Sequence, residues 1–263
     1  MFFTDSEKLT TDEYLKKGYI IRPVADLEAL NWITSQFVRL IGEISVINVI
    51  DDVPALLNGI HTNLEVAELN EYRLKLIRDL SSTEGFREMY FRVARPYLET
   101  LVGNELAMQL RVNLSIQLPN DNSSLLPVHA DTWSGDSPFE VVVWLPLVDC
   151  YRTKAMYLLP PQDYAKLNVD FSAMAGGSSE TLYQSIKHDV KWLDIRYGEV
   201  LLFDQSLPHG NRINEEQETR WSLNCRFKGV FTPYGDKKIG EFFAPITLRA
   251  ASQCGMAYSL PTI

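Results

Sequence analysis

"AMQLRVNLSIQLP", residues 107–119, is where the chain changes its rhythm. Leu110, Val112, Leu114, Ile116 and Leu118 alternate with Gln109, Arg111, Asn113, Ser115 and Gln117. Successive side chains of a strand point to opposite faces, so this period of two predicts an amphipathic β-strand. Before residue 104 the spacing is helical. Val24, Leu27, Leu30, Ile33, Phe37, Leu40 and Ile41 mark one amphipathic helix, and Leu69, Tyr72, Leu76, Ile77 and Leu80 a second. A third runs from Phe86 through Tyr90, Val93, Tyr97 and Leu101. Ser81 and Glu84 are spaced as a capping box ahead of it. Pro96 should kink or split it, because its ring removes an amide donor and crowds the preceding turn.

Downstream, strands continue. "FEVVVWLPLV", "AMYLLP" and "EVLLF" read as strands, the first apolar on both faces and therefore central. In "TRWSLNCRFKGVF", Arg220, Ser222, Asn224 and Arg226 share one side while Trp221, Leu223, Cys225 and Phe227 share the other. Such polar faces are read either as the wetted outside of a sheet or as the wall of a polar pocket. Arginine and amide side chains, with their bidentate donors, suit the pocket. Short strands after a helical block suggest a β-sandwich or jelly roll buttressed by helices, and the fold expected is α+β, a double-stranded β-helix (jelly roll, cupin-like) core with N-terminal buttressing helices. The expected organisation is a single domain over 1–263, with a helical block at 1–103, the jelly-roll core at 104–232 and a C-terminal extension at 233–263.

The composition narrows the function. A chain of 263 residues with 46% hydrophobic content can bury a large core. A net charge of −9 and a pI near 5.0 argue against nucleic-acid or anionic-membrane surfaces, while leaving room for a local basic pocket. Cys150, Cys225 and Cys254 are too few and scattered for a disulfide framework or a zinc knuckle. No signal peptide or transmembrane run is apparent, so a cytoplasmic protein is expected.

Only four histidines occur. His129 and Asp131, in "VHAD", stand at i and i+2 and project from one side of an extended segment. His209 follows the "EVLLF" strand, and Arg220-Trp-Ser222 comes eleven residues later. Two imidazoles and a carboxylate with open positions suit non-heme Fe(II) oxygenases. An arginine with a neighbouring hydroxyl can clamp a distal carboxylate.

At "VHAD", "VVVWLPLVD", "GEVLLFDQSLPHGNRIN" and "TRWSLNCRF", from about residue 105 to 232, the sequence resembles the Fe(II)/2-oxoglutarate-dependent dioxygenases of the phytanoyl-CoA-hydroxylase-like branch. Chain-wide it looks most like bacterial members found with sugar and antibiotic biosynthesis genes, the streptomycin-pathway type among them. The resemblance implies that His129, Asp131 and His209 ligate iron. It also implies that Arg220, helped by Ser222, binds the C5 carboxylate of 2-oxoglutarate. Trp144 matches a position lining the co-substrate pocket, and equally reads as a core tryptophan of a central strand. Where many relatives carry a Pro-Gly-Ser-His-like turn this chain has "YLLPPQDYAKL", so substrate class does not transfer from the fatty-acyl hydroxylases. Asp131 keeps the carboxylate, which speaks for hydroxylation or a related oxidation over halogenation.

Other residues are weighed individually. Asn113 and Gln117 could contact 2-oxoglutarate or substrate, and Arg111, Asn224 and Arg226 are candidates for the substrate wall. Trp133 and Asp136, in turn-rich "TWSGDSP", read as a substrate lid or as plain loop. Asn211 could order the loop carrying His209. His61 and His188 lack metal-like spacing and read as surface or helix-capping residues. The activity expected is oxidation of a polar small molecule, a sugar, nucleotide sugar or secondary-metabolite intermediate. It would use Fe(II), 2-oxoglutarate and O2 and release succinate and CO2. Two alternatives stay open: a cupin-like metal-dependent isomerase, and a non-catalytic jelly-roll binding module. A homodimer contact is left open for the helical block and the tail.

Overall fold

The structure is a computed structural model and describes residues 2–44, 52–170 and 178–260. The N-terminal part runs α1 (Asp5–Lys17), β1 (Tyr19–Pro23), α2 (Leu27–Ile44), α3 (Val53–Asn58), α4 (Val66–Ser82), α5 (Phe86–Arg92) and α6 (Arg95–Leu101). The remainder runs β2 (Leu106–Gln109), β3 (Asn113–Gln117), β4 (Glu140–Pro146), β5 (Met156–Leu158), α7 (Pro161–Asp170), α8 (Ser179–Ile186), β6 (Lys191–Leu193), β7 (Glu199–Asp204), β8 (His209–Gly210), β9 (Arg220–Gly229), β10 (Phe243–Pro245) and α9 (Ala250–Ala257).

One large antiparallel sheet has the order β1-β7-β4-β9-β2-β10, with β3 also on β9. A small sheet, β6-β5-β8, faces it. The two sheets form a jelly roll buttressed by helices, the α+β class expected. β4 is buried at every position and lies between β7 and β9, as its unbroken apolar run requires. Helices α2, α3 and α5 pack on the apolar face of the large sheet. Phe37 of α2 meets Trp221 of β9 edge-on at 6.0 Å, and the Trp221 indole donates to Leu57 O at 2.8 Å. The buried Tyr90 hydroxyl of α5 donates to Val143 O of β4 at 2.8 Å. One apolar cluster therefore joins helices and sheet, with the alternation of β9 sending Trp221, Leu223, Cys225 and Phe227 into it.

Several expectations are corrected. The strand predicted across 107–119 is broken at Leu110 and Arg111. Met108 pairs with Phe227 but Asn113 with Asn224, a slip of two residues along β9. The cause is competition for the backbone: Leu110 N donates to Phe242 O of the C-terminal tail at 2.8 Å, while the Gln109 side chain accepts from Arg226 N at 3.2 Å. Leu110 is consequently exposed, off the face it was assigned. The Ser81/Glu84 capping box does not form. Ser81 lies inside α4, and α5 starts after Gly85, whose φ of 80° turns the chain with no side-chain cap. Pro96 splits the third helix as expected, sitting in the first turn of α6 where its missing N–H costs no bond.

The helical block also contains β1, paired with β7 from Tyr19↔Phe203 to Pro23↔Glu199, and the tail contains β10, paired with β2. Both strands are too short to carry a readable period. Gly18 makes the first possible. Its φ of 79° ends α1, and a Cβ there would lie 2.1 Å from Leu207 Cδ1. Among the described residues, no helix is long and apolar enough to cross a membrane.

Candidate metal centre and its cavity

Two distant segments are zipped together by their backbones. His129 N donates to His209 O at 3.0 Å and His209 N returns the bond to His129 O at 2.8 Å. Asp131 N donates to Gln205 O at 2.9 Å. These bonds bring His129, Asp131 and His209 to one spot, with one ligand atom from each lying within 4.8 Å of the others. Neighbouring ligands on one cation sit roughly 3–3.5 Å apart, given bond lengths of about 2.1 Å, so the three atoms need only draw together around an ion to complete a site. Gly210 permits the zip, because a Cβ there would lie 2.7 Å from both Leu126 O and the Tyr157 hydroxyl.

The ring nitrogens are already sorted. His129 Nδ1 is 2.8 Å from Pro127 O and His209 Nδ1 is 2.9 Å from Leu207 O. A carbonyl oxygen only accepts, so each Nδ1 carries a proton, and in the neutral ring Nε2 is then the atom with a lone pair for a metal. Burial, and then the neighbouring His129, push the His209 pKa down to about 4. His209 is therefore neutral at neutral pH, the form that ligates. The Phe203 ring stands edge-on to it at 4.9 Å. Asp131 presents Oδ1 at 3.5 Å from His129 Nε2, while Oδ2 is held by Arg226 Nη2 at 2.8 Å.

Arg226 is thus committed to the carboxylate and not free for substrate. Its Nε donates to Gln205 Oε1 at 3.0 Å and lies 3.5 Å from Asp136 Oδ1. Asp136 is in turn ion-paired to Lys237. The lid reading of Trp133 and Asp136 is corrected here. Asp136 is buried in this ion-pair chain, and Trp133 sits on a short 3-10 turn, partly exposed and outside the cavity lining.

The triad opens into a cavity of about 610 Å³. Arg220 lies in its wall, 2% exposed, with Nη2 donating to Ser115 Oγ at 2.8 Å across the β3–β9 pair. The Arg220 Nε and the buried Ser222 hydroxyl have no hydrogen-bond partner, and among the described residues no carboxylate lies within 4.0 Å of Arg220. Burial lowers its pKa to about 10, so it stays cationic at neutral pH. A buried, unpaired guanidinium beside an orphan hydroxyl is costly unless a counter-anion arrives. Those groups, with the two Nε2 lone pairs and one carboxylate, fit Fe(II) with a dicarboxylate co-substrate.

Trp144 lines the same cavity from β4, and Asn113 and Asn224 line it as a pair, Nδ2 to Oδ1 at 2.9 Å. Two candidates fall elsewhere. Gln117 is fully buried outside the cavity lining, its amide donating to Arg212 O at 2.6 Å. Arg111 is exposed at the break between β2 and β3, because the two-residue slip turns it out. Asn211 orders the loop as expected, accepting from Leu126 N at 2.6 Å. His188 is exposed, whereas His61 is half-buried and reaches Thr219 Oγ1 at 3.0 Å. Sequence reasoning missed Ser115, Gln205, Lys237 and, from α4, Asn70 and Arg73. Helical periodicity flags only the apolar stripe of α4, so nothing local marked the last two.

No family model and no curated protein matches the sequence. Solved structures do. A non-heme monooxygenase, ThoJ in a nickel complex, aligns over 92% of this chain and 85% of its own at a TM-score of 0.57 and 11% identity. The non-heme alpha-ketoglutarate-dependent carbocyclase SnoK from nogalamycin biosynthesis aligns over 94% and 97% at 0.56 and 12% identity. EctD from S. alaskensis with 2-oxoglutarate and 5-hydroxyectoine aligns over 89% and 80% at 0.57 and 14% identity. The chain has the fold these non-heme enzymes share.

Proposed function

We propose that the protein is a non-heme Fe(II)- and 2-oxoglutarate-dependent oxygenase acting on a polar small molecule. The observation that carries this reading is the convergence of two free Nε2 atoms and one carboxylate beside a cavity whose buried arginine lacks a counter-anion. When bound, Fe(II) and 2-oxoglutarate supply the activation of O2 that oxidises a substrate carbon, with release of succinate and CO2.

The chain's own residues hold and orient. His129, Asp131 and His209 are the metal ligands, and their backbone zip and Nδ1 bonds keep them aimed. Arg220 and Ser222 receive the far carboxylate of 2-oxoglutarate. Trp144 closes the wall between co-substrate and core. Asn113 and Asn224 offer amide groups to a sugar, nucleotide-sugar or secondary-metabolite substrate, the kind the polar lining favours. The likeness to solved structures supports the fold beneath this assignment, and one catalytic domain spanning the chain is part of the same proposal.

The test is an anaerobic titration of metal-free protein with Fe(II) and then 2-oxoglutarate, followed by visible absorption. A weak charge-transfer band that vanishes in His129→Ala is expected. Fe(II) binding without a band would move the assignment to a cupin-like isomerase, which makes no succinate. No metal binding would leave a binding module.

A further inference from the structure

We propose that Arg73, on the cavity side of α4, anchors an oxyanion carried by the substrate, a carboxylate or a phosphate, so that the molecule oxidised is an anion. This rests on the oxygenase reading above and specifies its substrate class.

Inside the cavity, cationic side chains outnumber anionic ones. Among the described residues, three arginines line the cavity, Arg73, Arg220 and Arg226, against one carboxylate, Asp131. Arg226 is spent on Asp131 at 2.8 Å, with Asp136 also near. Arg220 is buried against Ser115 and is committed to 2-oxoglutarate. With Fe(II) and the dianionic co-substrate both in place, one carboxylate still faces three guanidinium groups, and Arg220 and Arg226 already have their contacts assigned. Arg73 is left over. Its Nη2 donates to Asn70 Oδ1 at 2.9 Å, and among the described residues no carboxylate lies within 4.0 Å of its guanidinium.

The placement suits recognition. Leu69, Tyr72, Leu76 and Leu80 are the buried stripe that seats α4, which packs on β3, and Leu69, Asn70, Arg73 and Ile77 all line the cavity. Arg73 is half-buried, so part of its solvation is already removed. Asn70 holds one of its five donors, fixing the fork and leaving others for a bidentate oxyanion. The Asn70 amide nitrogen adds a donor beside it. The chain as a whole carries −9, which disfavours anions at the surface at large. A locally cationic cleft in such a protein selects and focuses an anionic ligand.

The experiment compares glucose, glucose 1-phosphate and glucuronate binding to protein loaded with Ni(II) and 2-oxoglutarate. Saturation-transfer NMR titrations at constant ionic strength give the affinities. At least one anionic probe should bind about five- to tenfold more tightly than glucose, as one partly desolvated charged contact provides. Whichever anion wins distinguishes phosphate from carboxylate. Arg73→Gln should remove the preference, Arg73→Lys should keep part of it, and Ni(II) and 2-oxoglutarate affinities should stay unchanged in both. Equal binding of all three probes to wild-type protein, or a preference that survives Arg73→Gln, would overturn the proposal. Failure of the oxygenase reading would show in a different signal, the missing Fe(II)–2-oxoglutarate band of the wild-type protein.

Discussion

Replacing Arg226 by methionine removes the cation from the ion-pair chain while keeping much of the side-chain volume. In the metal-free protein Asp131 Oδ2 would lose its 2.8 Å partner, and Gln205 Oε1 would lose a donor at 3.0 Å. The Asp131 and Arg226 side chains are only 9% and 14% exposed, so water cannot readily replace what is lost. Breaking a buried pair from one side costs about 3–5 kcal/mol, mostly as the uncompensated charge left behind. Asp136 softens the loss little, because Lys237 still neutralises it. In a chain of this size each kcal/mol moves Tm by about 2–4 °C, so a drop of roughly 6–20 °C is expected by calorimetry. The decisive comparison is the double variant Arg226→Met/Asp131→Asn. With no carboxylate left to strand, it should be as stable as Arg226→Met alone or more so, giving a coupling energy of at least ~2 kcal/mol. Additive losses, or an Arg226→Met protein within about 1 kcal/mol of wild type, would refute the claim that Arg226 exists to hold Asp131.

Three further outcomes follow from the same geometry. Arg220→Ala should raise the 2-oxoglutarate requirement about 10- to 150-fold, the equivalent of ~1.5–3 kcal/mol for a charged hydrogen-bonded contact, with little change in metal affinity; titration of the visible band reads this directly. Only Cys254 is exposed, while burial pushes Cys150 and Cys225 up to about 12. A thiol reagent at pH 8 should therefore label one cysteine in native protein and three after unfolding. Trp221→Ala should cost about 3–5 kcal/mol, because it empties the contact with Phe37 and strands Leu57 O; denaturant unfolding measures it, and a loss under 1 kcal/mol would mean that the helices do not depend on that anchor.

The residues of β9 show how far local pattern reaches. A period of two places Arg220, Ser222, Asn224 and Arg226 on one face whatever the partners are, because the strand backbone enforces it. His129 and Asp131 share a side for the same reason, and the apolar run of β4 demands a central position. Helix and strand content, the jelly-roll class and the three ligand candidates were therefore legible in the sequence. What each polar residue on the β9 face does was not. Arg226 reads as a pocket donor until Asp131, 95 positions away, is found at 2.8 Å. Arg111 reads as its companion until the slip between β2 and β3 turns it to solvent. Asn70 and Arg73 carry no periodic signal, since their helix is defined by the stripe it buries rather than by the side it shows to the cavity. Local periodicity fixes the side a residue faces. Only long-range pairing, set by register and by competition for backbone hydrogen bonds, decides what stands opposite it and whether its charge is already answered.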